Sequence, residues 1–477
     1  MNRNIRTFAI AQTVYAAIVL GALLLLPGAD TATTMAAMLA VWGITASVYR
    51  ITPYRDTAGW WTLLVATTFL AVGVIANTHY FTEVSGGTTS DPVLNNCDSR
   101  GYFLDALHHS GMDKGVPESA TRRGYGLLIS SLWKITGITI VSPLVLNMLM
   151  ILLTIIISGG ITYRLSGGKG CGTTHGKASL AMIMTASVCY FLNSGTVLLK
   201  EAGISLAMSL IALGLTSTIA GDSPIRAKER IPYTIAFIAG LALLGVFRHT
   251  FILIATLGTI LLMRWNNPPR LKQSFLFLAL GAAAWGIMTL LTRSDISGIA
   301  GGVVDGAAVQ SSFFYDNDQH RFYNNLVGDY LQLPAWKRIL MLPMSAVTQF
   351  LVPFPWNFSR DITFGYTLAY AHIAYPWYII GGIILFFIFT GWRTAPSRLR
   401  RFVVTGVILW LVPAYLFAGT VSRYALPMLP MLIPAAVHVI TTCRNSKPFR
   451  IWGLCYTALI AVTLIVCHYL QQSATVS

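Results

Sequence analysis

Apolar runs of near-bilayer length, separated by short polar turns, fill most of the chain. They lie at 7–27, 32–49, 58–77, 140–162, 178–196, 202–220, 232–246, 250–264, 274–291, 370–391, 402–419, 424–442 and 450–469. The hydrocarbon core of a bilayer takes about 20 helical residues, and backbone groups cannot go unpaired in lipid, so each run predicts a helix. The pattern is that of an all-α polytopic membrane protein with about thirteen transmembrane helices, forming one transmembrane domain over 1–477. Arg3 and Arg6 precede a first run that is too long for the core of a signal peptide, which predicts a retained first helix.

Charge adds an orientation. With the N-terminus inside, the inner turns hold Arg3 and Arg6, Arg50 and Arg55, the basic residues of 164–177, 226–230, 264–272 and 393–401, and Arg444, Lys447 and Arg450. Only Asp56, Asp222 and Glu229 of the 17 acidic residues share that side. Basic residues near helix ends favour the cytoplasm, so the N-terminus is expected there and the C-terminus outside, in the plasma (bacterial inner) membrane. The same rule decides two ambiguities. Runs 232–246 and 250–264 form a short hairpin turning at Phe247-Arg248-His249, because merging them would invert every later turn. Residues 338–353 form an amphipathic helix on the outer surface instead of a span. The net charge of +16 then belongs to the inner turns and requires no nucleic-acid partner. Three of the six cysteines lie inside apolar runs and none forms a C-x-x-C pair, so they read as small buried hydrophobes. The glycine-rich stretch 167–172 lacks phosphate-loop spacing and reads as a flexible linker.

Two outer segments, 78–139 and 292–369, are too polar to span and too long to be simple connections. Both are expected to carry short amphipathic helices. The first concentrates the chemistry-bearing residues: Asp98, Arg100, Tyr102, Asp105, His108 and His109, then Arg122-Arg123-Gly124-Tyr125-Gly126. Lys200-Glu201, Arg248-His249 and Arg423-Tyr424 stand at other helix mouths on the same expected side, where ionisable residues are functional candidates. Each has a plainer reading. Asp98 precedes an apolar-periodic run and suits a helix N-cap; Lys200 and Arg248 suit interface snorkelling; Arg423 suits an interface anchor. Asp105, Asp113 and Glu118 read as solvated loop charges. Adjacent histidines do not face one way on a helix, so no metal site is assigned; a divalent ion has no support beyond the carboxylates themselves.

Asp98-Ser-Arg-Gly-Tyr102-Phe-Leu-Asp-Ala106, followed by Gly111, resembles the opening signature of the GT-C superfamily of polytopic glycosyltransferases, nearest to the branch of protein O-mannosyltransferases and aminoarabinose transferases. Arg122 to Gly126 resembles the Arg-Pro-Pro-Gly-Tyr-Pro run of that branch, with Arg123 and Gly126 in place of prolines. Arg423-Tyr424-Ala-Leu-Pro427-Met-Leu-Pro430 is similar to its late Arg-Tyr-x-x-Pro-x-x-Pro run. The resemblance covers about half the chain in spaced patches; spans 7–49 stand as an extra hairpin before it. It implies transfer of a sugar from a polyprenyl-phosphate donor to a glycan, lipid or protein acceptor on the outer face, with 78–139 as the catalytic loop and no resident cofactor. Asp98 would be the base, since the acceptor must lose a proton as the new bond forms. Tyr102, Arg122, Arg123, Tyr125, Lys200, Glu201, Arg248, His249, Arg423 and Tyr424 would line the substrate site, the arginines offering forks for the lipid phosphate. A polysaccharide polymerase or ligase would use the same charges. A secondary transporter would need ionisable residues at broken helices within the spans.

Overall fold

The computed structural model describes residues 3–26, 31–79, 81–82, 97–112, 123–167, 174–217, 227–248, 364–417 and 426–476, with isolated positions within 251–260 and 334–342. Among these every regular element is helical. In chain order they are α1 (Arg3–Leu25), α2 (Thr31–Ile51), α3 (Thr57–His79), α4 (Cys97–His109), α5 (Arg123–Thr136), α6 (Val141–Leu165), α7 (Thr174–Ala186), α8 (Cys189–Ser194), α9 (Glu201–Leu215) and α10 (Ala227–Arg248). There follow α11 (Phe364–Phe389), a 3₁₀ turn (Gly391–Thr394), α12 (Ser397–Phe417), a second 3₁₀ turn (Leu426–Met428), α13 (Leu429–Thr442) and α14 (Lys447–Val476).

Among the described residues four helices are long and apolar enough to cross a bilayer: Thr31–Ile51, Thr57–His79, Val141–Leu165 and Arg230–Arg248. Shorter apolar helices accompany them at Ala9–Leu25, Glu201–Leu215, Pro376–Phe389 and Leu429–Thr442. This architecture is compatible with an integral membrane protein. So is the outer surface, where Leu25, Ile51, Val65, Leu454 and Ile465 stand exposed; water would disfavour such a surface and lipid would not. Run 274–291 and nearly all of the second outer segment lie outside the described residues, as does most of 250–264.

Helix α6 is the hub. It is apolar nearly all round, as a helix surrounded by others must be, and α2, α3, α7, α9 and α13 pack against it. Pro143 occupies its first turn, where the missing N–H is no loss. At its far end the α2–α3 turn is tied on by side chains. The Tyr54 hydroxyl donates to the Ile156 carbonyl at 2.6 Å. Asp56 caps α3 by accepting the Gly59 N–H at 2.7 Å and also accepts from Ser179 of α7.

Run 178–196 is not one span. The helix ends at Ala186, a six-residue helix follows, and 195–200 is unwound before α9. Loss of regularity begins where Thr185 and Ser187 turn their hydroxyls back to the Ala181 and Ile183 carbonyls, at 2.8 and 2.7 Å. The Val188 N–H then reaches only three residues back, to Thr185, at 3.2 Å. Serine and threonine bonding back in this way bend helices. The unwound backbone is buried: Val197, Leu198 and Leu199 are at most 5% exposed. Its carbonyls need partners there, and two asparagines supply them. Asn77 of α3 donates to the Thr196 carbonyl at 2.7 Å. Asn147 of α6 donates from one amide nitrogen to the Val197 and Leu199 carbonyls, at 2.8 and 3.0 Å.

Replacing Asn147 strands two buried carbonyls at once. Asn147→Ala is expected to cost about 2–4 kcal/mol of stability, read as a lower melting temperature of the purified protein in detergent, with Asn147→Leu no better despite filling the space. A melting temperature equal to that of the unaltered chain would remove the asparagine from this role.

Candidate functional site

The described residues of 97–136 form the two helices α4 and α5, and glycine decides how closely they approach their neighbours. A methyl group at Gly124 would overlap the Val246 carbonyl of α10, and one at Gly126 would lie 3.0 Å from the Asp105 β-carbon of α4. The Gly124-Tyr125-Gly126 run is therefore a contact point, wedging α5 between α4 and α10. Between its glycines, Tyr125 is fully buried.

Tyr125 joins the helices. Its ring meets the Tyr102 ring edge-on with centroids 5.2 Å apart, and the Phe247 ring at 5.6 Å. Its hydroxyl is 3.0 Å from Asn147 Oδ1. The direction of that bond follows from the network. Val197 and Leu199 present carbonyls, which only accept, so the Asn147 NH₂ must face them and its oxygen must face Tyr125. Tyr125 is therefore the donor. Burial holds its hydroxyl well above the usual range, the bond to Asn147 pulls it back in part, and the nearby Glu201 charge pushes the same way as burial.

Lys200 and Glu201 complete the cluster. They close the unwound stretch and open α9, and are only 7% and 3% exposed. The Lys200 ammonium stands over the face of Tyr102, 5.4 Å from the ring centroid, an attractive cation–π placement. Glu201, in the first turn of α9, sits at the positive end of the helix dipole. Asp105, expected as a solvated loop charge, is instead 3% exposed where α4 meets α5. It lies three residues beyond Tyr102, on the same helical face. Arg248 ends α10, next to Phe247, with its guanidinium 5.1 Å from the Phe251 ring centroid.

The structure thus brings Tyr102, Tyr125, Lys200 and Glu201 into one buried polar cluster, with Arg248 one residue beyond the Phe247 ring that touches it. Asp98 lies in the first turn of α4, one turn before Tyr102, and Arg123 opens α5; their side chains lie outside the described set. Arg122, His249, Arg423 and Tyr424 lie outside the described residues. Sequence reasoning missed Asn147, Asn77 and the burial of Asp105. A lone asparagine inside the apolar run 140–162 was the available signal, since polar groups at membrane depth need partners. Among the described residues no three His, Cys, Asp or Glu side chains converge as metal ligands. Chemically, the cluster offers a buried cation, a buried carboxylate and a hydroxyl whose proton is committed, a set able to hold an anion and move a proton. Comparison with known proteins returns no match among protein families, curated sequences or solved structures.

Tyr125→Phe leaves the Asn147 oxygen without its donor and is expected to lower stability by about 1–2 kcal/mol. In the folded chain the hydroxyl resists ionisation, whereas in the unfolded chain it ionises near pH 10. Its contribution is present below about pH 10 and lost as pH rises further. Denaturation midpoints taken from pH 8 to 11 should fall less steeply for Tyr125→Phe than for the unaltered chain; parallel curves would refute the assignment. Gly124→Ala is expected to separate α5 from α10 and cost about 1–3 kcal/mol, seen in the same melts.

Proposed function

We propose that the protein is a membrane glycosyltransferase of GT-C type, moving a sugar from a polyprenyl-phosphate donor to an acceptor hydroxyl or amine on the outer face. The observation that carries this is the convergence of Tyr102, Tyr125, Lys200 and Glu201, 99 residues apart at the extremes, with Asp98 in the first turn of the helix that carries Tyr102. The proposal includes the thirteen-span topology, with the N-terminus cytoplasmic and the site outside.

In this mechanism the acceptor attacks the anomeric carbon from the face opposite the phosphate. Its proton passes to the Asp98 carboxylate, and the carbon–oxygen bond to phosphate breaks with the electron pair leaving on the lipid phosphate. Configuration inverts. Lys200, Arg248, Arg423 and the pair Arg122-Arg123 hold the departing charge, which would otherwise develop in a poorly solvated place. Tyr102 braces Lys200 from below. Asp105 and Glu201 balance the cations and keep the empty site from a surplus of buried positive charge.

A second reading has its own support. The broken helix and the buried Lys200-Glu201 pair at its end are features of secondary transporters, whose discontinuous helices bind substrate at their ends.

Purified protein given a polyprenyl-phosphate sugar and a panel of acceptors should release free lipid phosphate, and Asp98→Asn should slow release by about a hundredfold or more. Release at the unaltered rate by Asp98→Asn sinks the base assignment. No release with any acceptor, together with sugar or ion accumulation in proteoliposomes, would favour the transporter.

A further inference from the structure

A second site lies at the other end of the sequence, in the groove between α11 and α14. Its walls are Phe386, Thr390, Lys447, Ile451, Trp452 and Cys455, enclosing about 410 Å³. The lining surface is almost wholly apolar, contributed by carbon atoms even at Thr390 and Lys447; the basic first turn of α14, with Lys447 and Arg450, borders it at one end. The walls are held in place. The Trp452 indole N–H donates to the Gly382 carbonyl at 2.9 Å, and the Tyr456 hydroxyl donates to the Tyr378 carbonyl at 3.0 Å. The Phe386 ring packs edge-on against Phe449 with centroids 5.1 Å apart. Beyond the groove, α14 presents exposed Leu454, Leu459, Val462 and Ile465, the surface of a helix facing hydrocarbon.

The charge around the polar end is one-sided. After Asp361 the chain contains no Asp or Glu at all, while Arg393, Arg398, Arg400, Arg401, Arg423, Arg444, Lys447 and Arg450 all follow it. Thr394 lies 3.2 Å from the His438 ring nitrogen and 3.7 Å from the Cys443 sulfur, joining the turn that carries Arg393 to the turn that carries Arg444. Lys447 and Arg450 occupy the first turn of α14, which has no acidic residue. Cations are disfavoured at that end of a helix dipole, so α14 begins with an electrostatic penalty that a bound anion would relieve. Ser446 caps the same turn by accepting the Phe449 N–H at 3.3 Å, which keeps the two basic side chains on a fixed base.

We infer that this groove binds an anionic membrane phospholipid, its acyl chain lying along Phe386, Ile451 and Trp452 and its phosphate held by Lys447 and Arg450, with Thr390 as a hydroxyl donor. An apolar slot bordered by basic side chains that pair with no carboxylate among the described residues fits a molecule with a hydrocarbon tail and a phosphate head, and fits a zwitterionic lipid less well, whose ammonium would meet the arginines. The site shares no residue with the cluster around Tyr125, so it stands whether or not that cluster is a transferase site.

The test is native mass spectrometry of the full chain released from mild detergent, with phosphatidylglycerol and phosphatidylcholine of identical acyl chains supplied in equal amounts. Phosphatidylglycerol should be retained in preference. Lys447→Gln and Arg450→Gln should each lower that preference by about fivefold, Lys447→Arg should preserve it, and Cys455→Trp should reduce retention by filling the slot. Equal retention of the two lipids by the unaltered chain overturns the proposal, as does a preference indifferent to the two glutamine substitutions or to Cys455→Trp. Because both basic residues are exposed, their variants should melt as the unaltered chain does. Should either fail to fold, quenching by brominated phosphatidylglycerol in excess of that by brominated phosphatidylcholine reads the same groove in the unaltered chain: that excess must fall in Trp452→Phe, and its persistence would equally overturn the site.

Discussion

One asparagine amide governs the centre of this protein. Asn147 bonds both the unwound 195–200 backbone and Tyr125 of α5. Its two N–H groups and its oxygen are all used, so it has a single workable orientation. Irregular backbone is tolerated deep in a membrane protein only where the protein itself satisfies it. The break between α8 and α9 therefore depends on α6 presenting that amide at that height, with Asn77 of α3 as the second support. Everything that makes the region chemically interesting follows from the break, which is what lets a lysine and a glutamate end up buried beside Tyr102 and Tyr125.

Around this polar centre, packing supplies the precision. Gly124 brings α5 against α10 at a distance that any side chain would prevent, and Gly126 allows a tight approach to α4. Tyr125 is then locked by contact on two sides and by a hydrogen bond at its tip, a combination that leaves it no alternative rotamer of comparable energy. Lys200 rests on the face of Tyr102, so its position is set indirectly by the same wedge. The polar groups are held by apolar and small residues, which do not compete for the charge they position.

Much of the fold was legible from hydropathy alone, because helix is the only local solution for a long apolar run in lipid. Runs 7–27, 32–49, 58–77 and 140–162 appear as α1, α2, α3 and α6 with ends shifted by a few residues. Run 232–246 looked short, yet α10 extends it back to Ala227 through Lys228, Glu229 and Arg230, charges that hydropathy counts against a helix and that a helix end accommodates without difficulty. The failure at 178–196 was of another kind. Its composition is apolar throughout, and what breaks it is a set of hydroxyls together with amides more than 30 residues away in sequence, which no local pattern contains. Among the residues of the buried cluster, Tyr102, Tyr125, Lys200 and Glu201 were visible because polar residues between apolar runs are conspicuous. Asn147 was overlooked because it lay within a run, and Asp105 was misjudged because exposure is a tertiary property.

The asparagine supports also have a direction in time. Asn77, Tyr125 and Asn147 all precede the 195–200 stretch in the chain, so a ribosome delivers the docking groups before the backbone that needs them. When the unwound segment emerges, its carbonyls have amide donors already in place on α3 and α6. A circularly permuted chain that made 174–217 first would present bare peptide groups to lipid until the rest arrived. The order of synthesis is in this sense part of the structure's design.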